Sequence, residues 1–397
     1  MPVRNYWKEL KNRCTAIITA GLILLTSLFC TCKDIGRDNT DPGVLPEDLT
    51  GNRYARSFTL ADYDSSKVLT VIHPWQNAKG TSFKYVLLDS INRSYPDIGG
   101  QPEAIIRTPV KRIIVTSTTH ISFISELGRI DNIIGISGHQ YIYDSILGER
   151  IKNQLVFDIG YDQNLNYELI ISLKPDVIFA YGVTGEINNQ VSRLRQLGIP
   201  VVLISEYLEE HPLGKAEWIR VFAAFLGQDA IGDSLFLATM TDYEALVSLT
   251  SKIEVKPDVL SGLPWNDTWF VPGGRSFAAR LINDAGGNYL WKDNDSFEAL
   301  PLDIESVYKK ACKADYWINP GAAGSKQDIL SVDSRLGEMK PFIIDHIYNN
   351  NARVNSTGGN DYWESGVTHP DQVLMDLVSI FHPEMVPVQI SKYYRKI

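Results

Sequence analysis

Seven histidines, His73, His120, His139, His211, His346, His369 and His382, are spread along a chain of 397 residues. None forms the His-Glu-x-x-His pattern that puts two imidazoles on one helix face around a zinc ion. The segments VPGGRS and NSTGGNDYWESG are glycine-rich, but they lack the order of a nucleophile elbow, a phosphate loop or a dinucleotide fingerprint. No local signature of catalysis exists, and no enzyme is expected. Direct metal binding stays open through His120, His139 and Asp361, which would need three or four N/O ligands at about 2.0 to 2.2 Å.

Two other features carry chemistry. In NLNYELIISLKPDVIFAYG, Lys174-Pro175 stops a helix and the apolar strand Val177 to Tyr181 ends at Gly182. Ligands of open α/β sheets sit in the crevice beyond the strands' carboxyl ends, so Tyr181 is expected at a binding edge. Arg275 in VPGGRSF stands at the start of a predicted helix. The free amide N–H groups there favour anions, and the guanidinium is expected to pair with a ligand carboxylate, phosphate or siderophore oxygen.

The elements that position these residues follow from periodicity. Lys67 to Ile72 and Phe83 to Leu88 predict an antiparallel hairpin around a polar turn. Next, VKRIIVTSTTHISFISELGRIDNIIGISG predicts strand Arg112 to Val115, a helix Ile121 to Leu127 and strand Ile133 to Ile136. A helix Ile187 to Leu197 then feeds strand Val201 to Ile204, so the alternation predicts a parallel sheet wrapped by helices. Residues 214 to 252 are helical without strands: Trp218, Val221, Phe222, Phe225 and Leu226 share one face, and a long helix runs from Asp229 to about Ser251. Beyond Pro257 the α/β pattern resumes, with a helix Ser276 to Ala285, a helix Ile304 to Lys310, strands Tyr316 to Ile318 and Phe342 to Tyr348, and a final helix Gln372 to Phe381.

Hydrophobic content of 44% and charged content of 21% are those of a folded chain, and the net charge of −9 argues against a nucleic-acid partner. Arg4, Lys8, Lys11 and Arg13 precede an apolar run from Ala16 to Phe29, the layout of a secretory signal. Cys30 and Cys32 follow it in LTSLFCTCKD, which resembles a bacterial lipoprotein signal with Cys32, preceded by the small Thr31, as the expected lipidated residue. Cys312 then remains in the body, where it is expected to pack as a small hydrophobe. The expected divisions are a signal peptide 1–31, a tether 32–53, an amino-terminal lobe 54–213 with the hairpin 67–88, linking helices 214–253 and a carboxy-terminal lobe 254–397.

In this order the segments 110–138, 166–182, QVSRLRQLGIPVVLI with the long helix after it, and RSFAARLINDAGGNYLW resemble the Fe/B12 periplasmic-binding family over about 110 to 382. The resemblance implies a class III periplasmic-binding fold, two parallel-sheet α/β lobes joined by a single long helix. It also implies a monomeric solute-binding protein that delivers an iron-siderophore, haem or vitamin B12-type corrinoid to an ABC permease and its ATPase, lipid-anchored at a Gram-negative envelope. Two alternatives are a direct zinc or manganese binder and a surface lipoprotein that captures ligand without its own permease.

Carried onto this chain, the family's cleft loops fall on 117–120, 139–143, 161–165, 181–183, 263–275 and 360–364. They place His120, His139, Tyr141, Tyr181, Trp265, Trp269, Arg275, Tyr362 and Trp363 at the ligand. Aromatic rings there suit a large planar or macrocyclic molecule, because they bury area with few rotatable bonds. The family's cobalamin binders carry a permease-docking glutamate on each lobe; here those positions fall on Ser122 and near Arg275 or Ser276, with Glu126 one turn beyond the first.

Overall fold

A computed structural model describes residues 51–63, 66–78, 80–89, 95–161, 164–387 and 391–397. The expected signal peptide, Cys30, Cys32 and most of the tether lie outside the described residues.

The described chain opens with a four-stranded sheet of β1 (Phe58–Tyr63), β2 (Ser66–Ile72), β3 (Ser82–Asp89) and β4 (Ala104–Thr108). The expected hairpin is its centre, with Val68 opposite Val86, while β1 adds antiparallel and β4 parallel. Two buried carboxylates hold the segment leading into this sheet. Glu217 accepts the backbone N–H groups of Arg53, Tyr54 and Ala55 at 2.9, 2.8 and 2.8 Å. Glu209 accepts those of Arg56 and Ser57 at 2.9 Å each, and the Trp218 indole N–H at 3.1 Å.

The alternation after Pro109 folds as predicted. Strands β5 (Ile113–Val115), β6 (Ile133–Ile136), β7 (Phe157–Asp158), β8 (Val177–Ala180) and β9 (Val201–Leu203) form an all-parallel sheet in the order β7-β6-β5-β8-β9. All four residues of β8 are buried, because helices cover both faces of a parallel sheet and its central strands must be apolar throughout. Phe179 meets Phe222 and Phe225 at 4.8 and 5.0 Å between ring centroids.

Between the sheets lie helices Pro212–Glu217, Ile219–Leu226 and Asp229–Thr250. The last has 22 residues, about 33 Å at 1.5 Å per residue. Gly227 takes φ +64, which turns the chain back. A Cβ at Gly232 would lie 2.5 Å from the Ala223 Cβ, so glycine lets the two helices touch. The long helix packs on Ile219–Leu226 and on the closing helix Pro370–Phe381.

The second sheet uses β10 (Asp258–Ser261), β12 (Asn288–Tyr289), β14 (Tyr316–Ile318), β15 (Ile347–Asn349) and β16 (Arg395–Lys396), in the order β12-β10-β14-β15-β16 with only β16 antiparallel. A separate antiparallel ribbon pairs β11 (Thr268–Val271) with β13 (Leu300–Asp303). The strand expected from Phe342 begins only at Ile347. Lys340–Ile343 is a helical turn instead, because Pro341 has no N–H for a ladder yet fits a first helical turn. The protein is thus two α/β lobes on mainly parallel sheets, joined by one long helix.

Candidate ligand site between the lobes

Tyr181 follows the last residue of β8 and is half-buried. The glycine after it is needed for space: a Cβ at Gly182 would sit 2.4 Å from the Ile187 Cβ. A cavity of about 830 Å³ opens at this strand end, walled by Tyr161, Tyr167, Tyr181 and Arg193. The Arg193 guanidinium lies 4.0 Å above the Tyr167 ring, a cation–π geometry that holds one wall. Tyr207, on the segment leaving β9, stands edge-on to Tyr181 at 6.2 Å and donates to the Gly182 carbonyl at 2.8 Å.

Tyr207 also lines a second pocket of about 460 Å³ that joins the two lobes. Its amino-terminal side has Gln76, Tyr207 and Glu210, and its carboxy-terminal side has Phe270, Phe277 and Phe297. The strand that ends in Tyr181-Gly182 therefore points at the cavity within the first lobe, and Tyr207 beside it lines the pocket between the lobes.

The expected site residues divide into two groups. Tyr141, Trp265 and Trp363 are 54%, 69% and 60% exposed and stand on strand-end loops. His139 is also exposed and bonds Asp158 at 2.5 Å. Burial opposes the charge on Asp158, but hydrogen bonds from His139 and Gly160 hold its carboxyl below the usual range.

Three expectations are corrected by burial. His120 is fully buried beside Phe222, and burial pushes its pKa down to about 3, so it is a neutral core residue. Trp269 is fully buried, with its indole N–H donating to the Ser261 carbonyl at 3.2 Å and its ring 5.7 Å from that of Trp317. Side chains alternate across a strand, so on β11 it is Phe270, 46% exposed, that faces outward to the pocket. Tyr362 is buried, edge-on to Trp363, Tyr393 and Tyr394.

Arg275 is corrected by its partner. It reaches across to Glu210 of the other lobe at 3.0 Å and makes an exposed ion pair. The helix after it, Phe277–Asp284, is capped by Ser276, which accepts from the Ala279 N–H. Gly273 and Gly274 are packing glycines, where a Cβ would meet the Ser296 and Asn294 carbonyls at 2.2 and 2.3 Å. The metal triad does not assemble either: Asp361 is buried against Arg353 at 2.6 Å, while His120 and His139 sit as above. Among the described residues, no three His, Cys, Asp or Glu side chains are grouped to hold a metal ion. Cys312, expected to be buried, is half-exposed.

A second junction stitches the lobes. Glu364 accepts the backbone N–H groups of Tyr143 and Asp144 at 2.8 Å each. Asn355 donates to the Ile142 carbonyl at 2.7 Å, and a Cβ at Gly359 would press on that carbonyl at 2.4 Å. Ser122 is buried and bonds Thr368 at 2.7 Å, so it is no docking residue. Glu126, one turn beyond it, pairs with His369 of the other lobe at 2.8 Å.

Gln76, Tyr207, Glu210, Phe277 and Phe297 had no place among the expected contacts, and Phe270 lies in an expected loop without having been singled out. One signal was available for two of them. SEYLEEHP directly follows the strand Val201 to Ile204, and the strand-end rule applied to Tyr181 applies equally to Tyr207 and Glu210.

Residues 113–338 match the model of the periplasmic binding protein family. The chain belongs to that family. This binding protein is 26% identical over 407 residues to a lipoprotein of Methanocaldococcus jannaschii, described only as uncharacterized, with 94% of each chain covered. A second lipoprotein of that archaeon is 27% identical over 359 residues, covering 87% of this chain and 86% of the relative. The fold is similar to that of a periplasmic haem-binding protein from Roseiflexus sp. RS-1, with 22% identity and a TM-score of 0.54 over 70% of this chain and 99% of that one. It is likewise similar to a possible iron-binding solute-binding protein from Staphylococcus epidermidis, with 17% identity and a TM-score of 0.54 over 69% and 100%. The curated relatives are archaeal and give the Gram-negative expectation no support. No described helix is long and apolar enough to cross a membrane.

Proposed function

We propose that this binding protein captures a metal chelate, an iron-siderophore, haem or a corrinoid, between its lobes and delivers it to an ABC permease and ATPase without transforming it. The observation that carries the reading is the convergence of Tyr181, Tyr207, Phe270, Phe277 and Phe297 on cavities at the strand ends of both lobes. Membership of the family supports solute binding, and a neighbour named as haem-binding supports a large planar ligand. Trp265, Trp363 and Tyr141 are exposed outside the lining of both cavities and would have to fold over such a ligand to touch it, while one continuous helix between the lobes keeps its hydrogen bonds only through gentle bending and so limits closure. Lipidation at Cys32 would hold the protein at a membrane surface, consistent with the lipoprotein names of the archaeal relatives.

The test is a thermal-shift and absorbance titration of the chain from Glu47 onward with cobalamin, cobinamide, haem and a panel of ferric siderophores. Ligand at 100 times its dissociation constant stabilises the fold by about 2.7 kcal/mol. One clear responder supports the reading; silence across the panel refutes it.

A further inference from the structure

The amino-terminal sheet, residues 58–108, lies entirely before the segment that matches the family. Its β2–β3 turn nevertheless reaches the ligand site. The turn is built firmly: Ala78 N–H donates to the Trp75 carbonyl at 3.2 Å, His73 N–H to Thr81 at 3.0 Å, and the His73 ring contacts the Ala78 carbonyl at 3.0 Å. Trp75 packs on Phe83 at 5.8 Å and against the outer core of the first lobe. Its indole also covers Gly185, where a Cβ would lie 3.5 Å from the indole nitrogen. Gly185 belongs to the loop after β8 whose neighbours Thr184 and Glu186 line the larger cavity. Gln76, the next residue, lines the pocket between the lobes together with Tyr207.

One turn thus buttresses the first cavity with Trp75 and walls the second with Gln76. The chemistry of that second wall is specific. Among the described residues the pocket lining includes Glu209, Glu210 and Glu298 and no lysine or arginine, while the Lys215 ammonium lies behind it, 4.4 Å from the Phe277 ring and 3.3 Å from the Tyr207 carbonyl. The nearby Arg275 is neutralised by Glu210. Among the described residues of the lining Gln76 contributes the one side-chain amide, both donor and acceptor, and it is exposed with no protein hydrogen bond to its carboxamide among the described residues.

Resting on the proposed function, we infer that the β2–β3 turn is part of the ligand site, with Gln76 hydrogen-bonding a neutral, amide- or hydroxamate-bearing rim of the chelate and Trp75 holding the turn in place. A carboxylate rim meets like charge from Glu298 in this pocket, whereas the amide of Gln76 meets a neutral rim without repulsion. Gln76 is a specificity-determining residue supplied from outside the family's matched core.

The experiment titrates cobinamide, ferrioxamine B and haem into the wild-type protein and into Gln76→Ala, Gln76→Glu and Trp75→Ala variants, with melting temperature recorded without ligand. Gln76 is exposed, so its two variants should melt with the wild type. We expect cobinamide or ferrioxamine B to bind more tightly than haem, and Gln76→Ala to weaken that ligand about tenfold or more, since a polar group left unpaired in a bound complex carries its full desolvation penalty. Trp75→Ala should weaken the same ligand by loosening the turn. Wild-type affinities retained by both Gln76 variants, or haem as the preferred ligand, would overturn this inference alone. A wild type that binds none of these three probes overturns this inference, and the proposed function falls with it only when the whole panel of the earlier titration is silent too.

Discussion

The Tyr207 hydroxyl donates to the Gly182 carbonyl at 2.8 Å, tying the segment that leaves β9 to the end of β8. Because Gly182 lines one cavity and Tyr207 the other, this bond fixes the partition between them. Burial pushes the Tyr207 pKa up to about 12, so the phenol stays a donor throughout the neutral range. Tyr207→Phe removes only the hydroxyl. We expect a loss of about 0.5 to 1.5 kcal/mol in urea denaturation, together with weaker chelate binding. Unchanged binding would show that the partition has no part in recognition.

Trp265 and Trp269 are four residues apart and should behave oppositely. Trp269→Ala opens the core of the second lobe and should cost about 3 to 5 kcal/mol. Trp265 is 69% exposed, so Trp265→Ala should shift stability by no more than about 0.5 kcal/mol. If it covers the chelate, that variant should bind it more weakly, as a titration would report.

Glu364 makes the lobe junction pH-dependent. Burial raises its carboxyl from 4.5 to about 8, against the opposing pull of the Tyr143 and Asp144 N–H groups, with Asp144 and Asp361 adding repulsion. Between those values the folded protein keeps a proton that the unfolded chain has released. The contribution is therefore fully present below 4.5 and is lost as pH rises through about 8. While Glu364 titrates, its share of the slope is about 1.4 kcal/mol per pH unit. In Glu364→Gln, denaturation curves from about pH 5 to about pH 8.5 should lose that share. A slope equal to that of the wild type would mean that Glu364 does not titrate there.

Glu217 holds three consecutive backbone N–H groups of the segment before β1, and its side chain is fully buried. Glu217→Ala strands all three donors, which should cost about 3 kcal/mol or more and free the amino-terminal sheet. Limited proteolysis should then cut near Arg53 to Ser57 well before the lobes unfold.

The ion pair of Arg275 with Glu210 is exposed on both sides. Arg275→Ala should change stability by less than about 1 kcal/mol, with the difference shrinking at high salt. Its larger effect should be on ligand charge, since the variant uncovers Glu210 and should bind anionic chelates more weakly still. Equal haem affinity in variant and wild type would count against that view of the pocket.

Local order in the sequence determined the elements. Lys174-Pro175, the apolar run Val177 to Ala180 and Gly182 fix a helix stop, a buried strand and its end within a few residues. The long helix from Asp229 was equally legible, since Gly227 and an unbroken helical composition bound it. Those signals reach only along the chain, by turn geometry and side-chain periods. Tertiary structure decided which face each strand presents and which partner each charge finds. Trp269 and Phe270 are adjacent aromatics, and only the packing of β11 against the lobe sends one into the core and the other to the pocket. Arg275 looked like an anion receptor until Glu210, 65 residues away, met it. His120 gave no sign in its own segment that Phe222 would bury it, and Gln76 none that a turn before the family's matched core would stand beside Tyr207. Each depends on residues distant in sequence, whose approach is set by the burial of whole faces.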